Sequence, residues 1–238
     1  MNVLLLGASG STGKLVLLQL VKRNINTRIL IRSSAVIPDE FLENPLVEIV
    51  KGNINELDQS DLNHLLGECD LVISCLGHNL SFQGMFGHPR YLVLDAIRKL
   101  SHTVQNTTKK KTKIILMSTT AYTNRHAGEK NSLGERIIFS LLMGMLPPHR
   151  DNVKAADFLI EDIGTQDEYI EWVAVRPDTL IDNDLVSAYD ACDSPLRSPI
   201  FDAGEVSRIN VSHFMADLAT DENLWKEWLS KTPVLYNQ

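Results

Sequence analysis

Three glycines stand within seven residues, directly after the first hydrophobic run of the chain. The segment reads GASGSTG from Gly7 to Gly13, and an amphipathic pattern begins near Ser11. A strand, a G-x-x-G-x-x-G turn and a helix, in that order, place backbone N–H groups and a helix N-terminus against a pyrophosphate. Gly10 lets the backbone approach such a ligand, and the hydroxyl groups of three residues add donors: Ser9, Ser11 and Thr12. A tight turn that binds no ligand is the alternative.

The spacing in GASGSTG resembles that of the short-chain dehydrogenase/reductase superfamily, in particular its extended and atypical branches. The resemblance implies that Asn53, after the third predicted strand, contacts the adenine of a dinucleotide. Capping of the next helix is the alternative role of Asn53. The segment SCLGH, after the fourth strand, resembles the loop beneath the cofactor ribose and implies contacts from Cys75, Leu76 and Gly77. His78 either faces the cleft or lies in solvent.

The end of the second predicted strand distinguishes the two nicotinamide dinucleotides. This strand, TRILIRSS, ends in Arg32 and is followed by Ser33 and Ser34, without a carboxylate. An acidic residue at that point bonds the ribose 2′-hydroxyl of NAD, whereas an arginine accommodates the 2′-phosphate of NADP. An arginine with neighbouring hydroxyls can form charge-assisted hydrogen bonds to a phosphate. We therefore predict NADP(H) as the cofactor, with an arginine exposed to solvent as the alternative.

Residues after the fifth and sixth predicted strands should face the reactive end of the ligand, because ligands of open α/β sheets lie outside the carboxyl ends of the strands. The usual set of the superfamily is a serine after the fifth strand and a tyrosine four residues before a lysine. The resemblance assigns these roles to Ser118 and Lys154, but Arg150 occupies the position of the tyrosine. Arginine stays protonated near neutral pH and is not an ordinary general acid. Tyr122 lies too near the strand to replace it, and we expect Tyr122 to pack under the segment that follows.

The candidate roles follow from these positions. Ser118 and Thr119 would bond the nicotinamide region or the substrate, and Lys154 would bond the nicotinamide ribose. The loop after the sixth strand would shape the cleft beside the cofactor, with three candidate residues: Pro177, Thr179 and Leu180. A flavin or quinone spreads the charge of an accepted hydride over its rings and takes its proton from solvent, so such an acceptor does not require the tyrosine.

The second half of the chain resembles the biliverdin-IXβ/flavin reductase group of atypical short-chain reductases. In that group a strand with a proline-containing loop precedes an S-R-[IV] strand and an H-F-M helix. The matching stretches are Arg176-Pro177, Ser207-Arg208-Ile209 and His213-Phe214-Met215. The resemblance implies an NADPH-dependent reductase that passes hydride to a flavin, quinone or similar planar small molecule.

Two other functions stay open. A catalytically weak or inactive protein that resembles the NmrA-like regulators would bind NADP(H) and act through a protein partner, and the loss of the tyrosine favours it. The preserved Ser118 and Lys154 favour the enzyme. An epimerase acting on a nucleotide-linked substrate is disfavoured, because such relatives usually carry an additional carboxyl-terminal substrate domain.

Hydrophobic runs alternate with amphipathic segments along the chain. Six runs are typical of strands, NVLLLG, TRILIR, VEIVKG, DLVISCLG, KIILMST and IEWVAVRP. Helical spacing of apolar residues lies between them, which is the pattern of repeated βα units. We predict an α/β fold of 238 residues as one domain: a Rossmann-like, doubly wound parallel sheet with helices on both faces. Asn53 or Asn55 would cap the helix after the third strand.

An inserted segment at about 123–150 separates the fifth strand from the helix that should follow it closely. We predict a polar loop and then a helix from about Leu133 to Leu146, ended by Pro147 and Pro148. Its apolar face either packs on the sheet, covers the substrate as a lid, or forms a subunit contact.

Composition excludes several classes of protein. The chain has 23 lysines and arginines against 30 aspartates and glutamates, a net charge of −7, so nucleic acid is not an expected partner. The three cysteines show neither a disulfide framework nor metal-binding spacing. The first residues lack the pattern of a signal peptide, and the longest apolar run is too short to span a bilayer. We expect a cytoplasmic monomer or homodimer without a metal.

Overall fold

The six predicted hydrophobic runs all form strands. The computed structural model of the protein describes residues 1–78, 87–107 and 110–238. The strands are β1 (Asn2–Leu6), β2 (Asn26–Ile31), β3 (Val47–Lys51), β4 (Leu71–Ser74), β5 (Thr112–Met117) and β6 (Ile170–Pro177). The second half adds β7 (Thr179–Ile181), β8 (Tyr189–Cys192), β9 (Glu205–Ser207) and β10 (Val234–Asn237).

Eight of these strands form one sheet in the order β3-β2-β1-β4-β5-β6-β10-β8. Neighbouring strands are parallel except for the edge pair β10 and β8, which is antiparallel. The remaining pair, β7 and β9, forms a small parallel sheet. The chain runs outward from β1 to β3 and then returns to β4 beside β1, so the strand order reverses between β1 and β4. Such a reversal opens a crevice at the carboxyl ends of the two strands.

Helices cover both faces of the sheet. They are α1 (Ser11–Lys22), α2 (Asp39–Leu42), α3 (Gln59–Leu66), α4 (Leu92–Thr107), α5 (Leu133–Met145), α6 (Pro147–Asp157), α7 (Arg208–Thr220) and α8 (Glu222–Trp228). A π-helical turn, Phe158–Ile163, continues α6. Side chains of β1 point alternately to the two faces: Val3 and Leu5 join the core under α1 and α7, and Leu4 and Leu6 join the core under α3 and α4. The predicted doubly wound, single-domain α/β fold is confirmed.

The inserted segment contains the predicted helix, but the following prolines do more than end it. Helix α5 begins after Ser132, whose side chain forms a capping box with Glu135. Pro147 then stands in the first turn of α6. Proline is tolerated there because the first N–H groups of a helix have no intrahelical partner. The two prolines therefore separate two helices that follow each other directly.

Two local expectations are wrong. Asp58, rather than Asn53 or Asn55, caps α3, and its side chain accepts a hydrogen bond from the Asp61 amide. The third strand is followed by a turn, so α3 begins several residues after the asparagines. In the second half, β9 ends at Ser207, which caps α7. Arg208 therefore begins a helix instead of continuing a strand.

Candidate functional site

The glycine turn joins β1 to α1 at the point where the strand order reverses. Gly7 has φ 79°, and a Cβ atom on Gly7 would lie 2.5 Å from the Cys75 carbonyl oxygen. A Cβ atom on Gly13 would lie 2.0 Å from the Gly7 carbonyl oxygen. Neither position accepts another residue without a shift of the backbone. Strand, turn and helix are thus packed as closely as the sequence pattern predicts.

The N-terminus of α1 opens into a cleft. Gly10 precedes the helix and provides no side-chain cap, so the first N–H groups of α1 are available to an external acceptor. The cleft has a volume of about 560 Å³. Its walls come from the carboxyl ends of β1 to β5 and the loops that follow them. Ten of the predicted cofactor contacts line it: Gly7, Ser9, Gly10, Ser11, Thr12, Arg32, Asn53, Cys75, Leu76 and Gly77.

Arg32 lies at one end of this cleft. Its side chain is exposed, and it forms no ion pair with a carboxylate anywhere in the described chain. Ser33 is exposed but does not line the cleft. Asn53 lines it and is held by two contacts, because its Oδ1 accepts from the Asn55 amide at 3.2 Å and its Nδ2 donates to Glu56 at 2.8 Å. A cation and an oriented amide therefore face this end of the cleft.

His78 lies on the wall of the cleft and is fixed by a buried carboxylate. Its Nε2 is 2.8 Å from Oδ2 of Asp151, a residue of α6 that is 0% exposed. The same carboxylate accepts hydrogen bonds from the Val93 and Leu94 amides, at 2.8 and 3.0 Å. Asp151 thus caps α4 from a different helix and holds His78 at the cleft. Sequence reasoning missed Asp151, since its partners are 57 to 73 positions away along the chain.

Ser118 follows β5 with its hydroxyl buried. The residue is 7% exposed, and its Oγ has no hydrogen-bond partner among the described residues. A buried hydroxyl without a partner is costly unless a ligand completes it. Ser118 does not line the cleft, but its neighbour Met117 does. Thr119 is half-buried, and its hydroxyl accepts a hydrogen bond from the Ala121 amide at 3.2 Å.

Lys154 and Arg150 lie on the same side of α6, and both lie close to one aromatic ring. The Lys154 ammonium is 5.2 Å and the Arg150 guanidinium 5.4 Å from the centre of the Tyr91 ring. These are cation–π distances. Lys154 is exposed and does not line the cleft, whereas His88, Pro89 and Leu92, beside Tyr91, do. The sequence motifs contain no signal for these three cleft residues.

The loop after β6 is held by hydrogen bonds within the protein and does not line the cleft. The Pro177 carbonyl accepts from the Thr120 amide at 3.3 Å. The two oxygens of Asp178 accept from the Thr179 and Gly204 amides, at 2.7 and 3.1 Å. Thr179 is exposed and Leu180 is half-buried. The sequence-predicted residues of this loop are therefore not brought together with the glycine turn in this structure.

Arg176, directly before this loop, anchors the inserted segment. It is 0% exposed and forms two hydrogen bonds to the Glu129 carboxylate, at 2.6 and 2.9 Å. It also donates to the Tyr122 carbonyl at 3.1 Å. Tyr122 is buried, as expected, and burial raises the pKa of its phenol. A second, polar cleft of about 440 Å³ lies between this segment and residues 194–199.

Burial also sets the protonation state of the one cysteine thiol that lines the cleft. Cys75 lines the cleft but is 7% exposed, and burial raises the pKa of its thiol to about 12. The thiol is therefore neutral near neutral pH and cannot act as a nucleophile. Among the described residues there is no group of three or more histidine, cysteine, aspartate or glutamate side chains that could hold a metal ion.

Comparison with known proteins identifies a family. Residues 7–222 match the model of a family described as NAD(P)H-binding. A comparison with curated proteins gives no match. Within the described ranges, no helix is long and apolar enough to cross a membrane.

Several solved structures share the fold. An anaerobilin reductase of Escherichia coli O157:H7 has 18% identity and a TM-score of 0.68, over 100% of this chain and 97% of that chain. A proposed NADH-flavin reductase of Streptococcus pneumoniae has 16% identity and a TM-score of 0.65, over 100% of both chains. A short-chain dehydrogenase/reductase of Veillonella parvula, in complex with NADP, has 15% identity and a TM-score of 0.67, over 99% and 94% of the two chains.

Proposed function

The chain belongs to the NAD(P)H-binding family, and we propose that it is an NADPH-dependent oxidoreductase that transfers hydride to a flavin, quinone or similar planar acceptor. The observation that carries the proposal is the cleft of about 560 Å³ at the β1–β4 reversal, where an uncapped helix N-terminus and Arg32 face the same space. When bound, the reduced dinucleotide supplies the hydride.

The residues present fit a dinucleotide phosphate. The amides at the start of α1 lack a side-chain cap, and the hydroxyl groups of Ser9, Ser11 and Thr12 line the same wall. These groups would bind the pyrophosphate through hydrogen bonds that are strengthened by the helix dipole. Gly7 and Gly13 let β1, the turn and α1 pack closely enough for the first amides of α1 to face the cleft.

Arg32 supports the preference for the phosphorylated dinucleotide. Its guanidinium is exposed at the cleft and has no carboxylate partner in the described chain. A bound 2′-phosphate would provide that partner through charge-assisted hydrogen bonds. Asn53, which is oriented by Asn55 and Glu56, would contact the adenine at the same end.

Next to Met117, which lines the cleft, the buried Ser118 hydroxyl is a donor that lacks a partner in the described chain. We assign Ser118 and Thr119 to hydrogen bonds with the nicotinamide region or the acceptor, and Lys154 to the nicotinamide ribose. Lys154 must move away from the Tyr91 ring, 5.2 Å distant, to reach a sugar hydroxyl. The loop with Pro177, Thr179 and Leu180 would then border the acceptor rather than the phosphates.

A redox sensor that binds NADP(H) and acts through a partner is the second candidate. It is favoured by Arg150, which stands where the usual tyrosine would be and holds its guanidinium 5.4 Å from the centre of the Tyr91 ring. An arginine in this place cannot donate a proton to a carbonyl substrate near neutral pH. A planar acceptor avoids this requirement, because its proton can come from solvent.

Turnover distinguishes the two candidates. Oxidation of NADPH should be followed by absorbance with riboflavin, FMN and quinones as acceptors. We expect turnover with at least one acceptor, and a fall in turnover with little change of NADPH affinity in the Ser118→Ala variant. Tight NADPH binding without turnover of any acceptor would contradict the reductase and favour the sensor.

A further inference from the structure

Helix α5 exposes four large apolar side chains at every fourth position. Leu133, Ile137, Leu141 and Met145 are 72, 56, 56 and 70% exposed. Residues four apart lie on the same face of a helix. The opposite face holds Phe139, which is buried and stacks on the His149 ring at 6.2 Å. The fold therefore uses one face of α5 and leaves an apolar stripe roughly 18 Å long in solvent.

A neighbouring loop extends the stripe. Phe201 is 64% exposed, and its ring packs on α5 so closely that a Cβ atom on Gly134 would lie 2.9 Å from it. The loop is tied to α5 by the Ser198 hydroxyl, which lies 2.5 Å from the Glu135 carboxylate. These contacts place five exposed apolar side chains together. We call them the α5 patch: Leu133, Ile137, Leu141, Met145 and Phe201.

Two exposed cations of the inserted segment stand close to the α5 patch without a carboxylate partner, although the whole chain carries a net charge of −7. Arg136 stands on α5 directly before Ile137, and Lys130 lies near the start of α5, where it lines the polar cleft with Glu135; both are exposed, and neither forms an ion pair within the described chain. Asp202, next to Phe201, is paired with Arg197. The two carboxylates of the inserted segment are already engaged. Glu129 pairs with the buried Arg176, and Glu135 accepts hydrogen bonds from Ser132 and Ser198.

We propose that the α5 patch docks on an anionic lipid surface. Apolar side chains on one helix face enter the boundary between headgroups and acyl chains, and flanking cations bind headgroup phosphates. Because the chain as a whole is acidic, an anionic surface favours approach by a face whose carboxylates are already engaged. A second copy of the chain is a poorer occupant, because two α5 patches face to face bring Arg136 and its like-charged neighbours together. The proposal does not depend on the reaction.

Co-sedimentation with vesicles tests the proposal in the absence of nucleotide. One set of vesicles contains phosphatidylcholine alone, and the other also contains phosphatidylglycerol. We expect the full chain to bind the anionic vesicles and to be released by high salt. Ile137→Glu and Leu141→Glu should each lower the bound fraction about tenfold, because a charge enters the apolar face. Both side chains are exposed, so neither change disturbs the core.

Leu185→Glu is the matched control, because Leu185 is 79% exposed but lies outside the α5 patch. It should bind like the unchanged chain. Three results would overturn the proposal: no binding of the unchanged chain to anionic vesicles, equal binding to both vesicle types, or unaltered binding of the Ile137→Glu variant. A dimer in solution that Ile137→Glu dissociates would also overturn it, since a second copy would then cover the α5 patch.

Discussion

At the scale of the residue, Gly13 shows why the first turn of the chain tolerates so little variation. A Cβ atom there would lie 2.0 Å from the Gly7 carbonyl oxygen, so α1 could not begin against β1. A residue larger than glycine at position 13 would also change the proposed phosphate site, because the position of α1 decides where its free amides point. Arg32 and Asn53, which line the same cleft, depend on neighbouring loops instead of on this turn.

The cysteines give a residue-scale prediction. Burial raises the pKa of Cys69 to about 11 and that of Cys75 to about 12. Burial and the nearby Asp190 and Asp193 carboxylates also raise the pKa of Cys192, but Cys192 is partly exposed, so a reagent can reach it. Thiolate is the reactive form, and its fraction on a buried thiol is negligible below about pH 9. Iodoacetamide at pH 8 should therefore modify Cys192 alone in the folded protein, and all three thiols in denaturant, as read by peptide mass spectrometry.

Cys192→Ser is the control for this labelling, and the folded variant should take up almost no reagent. Rapid modification of Cys75 in the folded chain would show that the cleft wall opens to solvent. Slow modification that follows the unfolding rate is consistent with the buried thiol.

At the scale of the element, α4 takes its cap from another helix. The Asp151 carboxylate is 0% exposed and accepts two α4 amides as well as His78. A negative charge at a helix N-terminus stabilises the helix, and the loss of a buried hydrogen-bond partner leaves a donor unsatisfied. Asp151→Asn keeps the size of the side chain but removes the charge and one acceptor oxygen.

We expect Asp151→Asn to lower the free energy of unfolding by about 1–3 kcal/mol. Urea denaturation, followed by circular dichroism, measures this change. Asp162→Asn is the matched control, because Asp162 is exposed, and its unfolding midpoint should stay close to that of the unchanged chain. Equal midpoints for all three chains would show that the carboxylate does not hold α4.

Sequence patterns predicted the strands and helices well, because these elements depend on residues that are close together in the sequence. The six strands follow from short apolar runs, and the α5 helix follows from apolar spacing with prolines after it. The same patterns misplaced the cap of α3, since Asn53 and Asp58 are both good capping residues and only the length of the turn decides between them.

Contacts between distant parts of the chain were not accessible to sequence reasoning. Asp151 meets His78 across 73 positions, and Arg176 meets Glu129 across 47. Neither pair belongs to a spacing that a helix or strand would impose. The resemblance also placed Pro177, Thr179 and Leu180 beside the cofactor; these residues do not line the cleft at the glycine turn, and their role stays a prediction.

At the scale of the whole molecule, the cleft lies where the topology requires it. The sheet reverses its order between β1 and β4, and the carboxyl ends of these strands carry the loops that form its walls. The inserted segment lies beyond β5 and borders a different, polar cleft. In the proposed function, the cleft at the reversal would hold the dinucleotide, and the neighbouring surface would remain for an acceptor or partner.

Calorimetric titration with NADPH and NADH tests the central claim most directly, with the unchanged chain, Arg32→Ala and the control Arg125→Ala compared side by side. We predict tighter binding of NADPH by the unchanged chain and by the control. Arg32→Ala should weaken NADPH binding about tenfold to a hundredfold, as the loss of a charge-assisted hydrogen bond requires, and should leave NADH binding unchanged. Equal affinities for the two dinucleotides in all three chains, or no binding of NADPH at all, would contradict the role of the cleft and of Arg32.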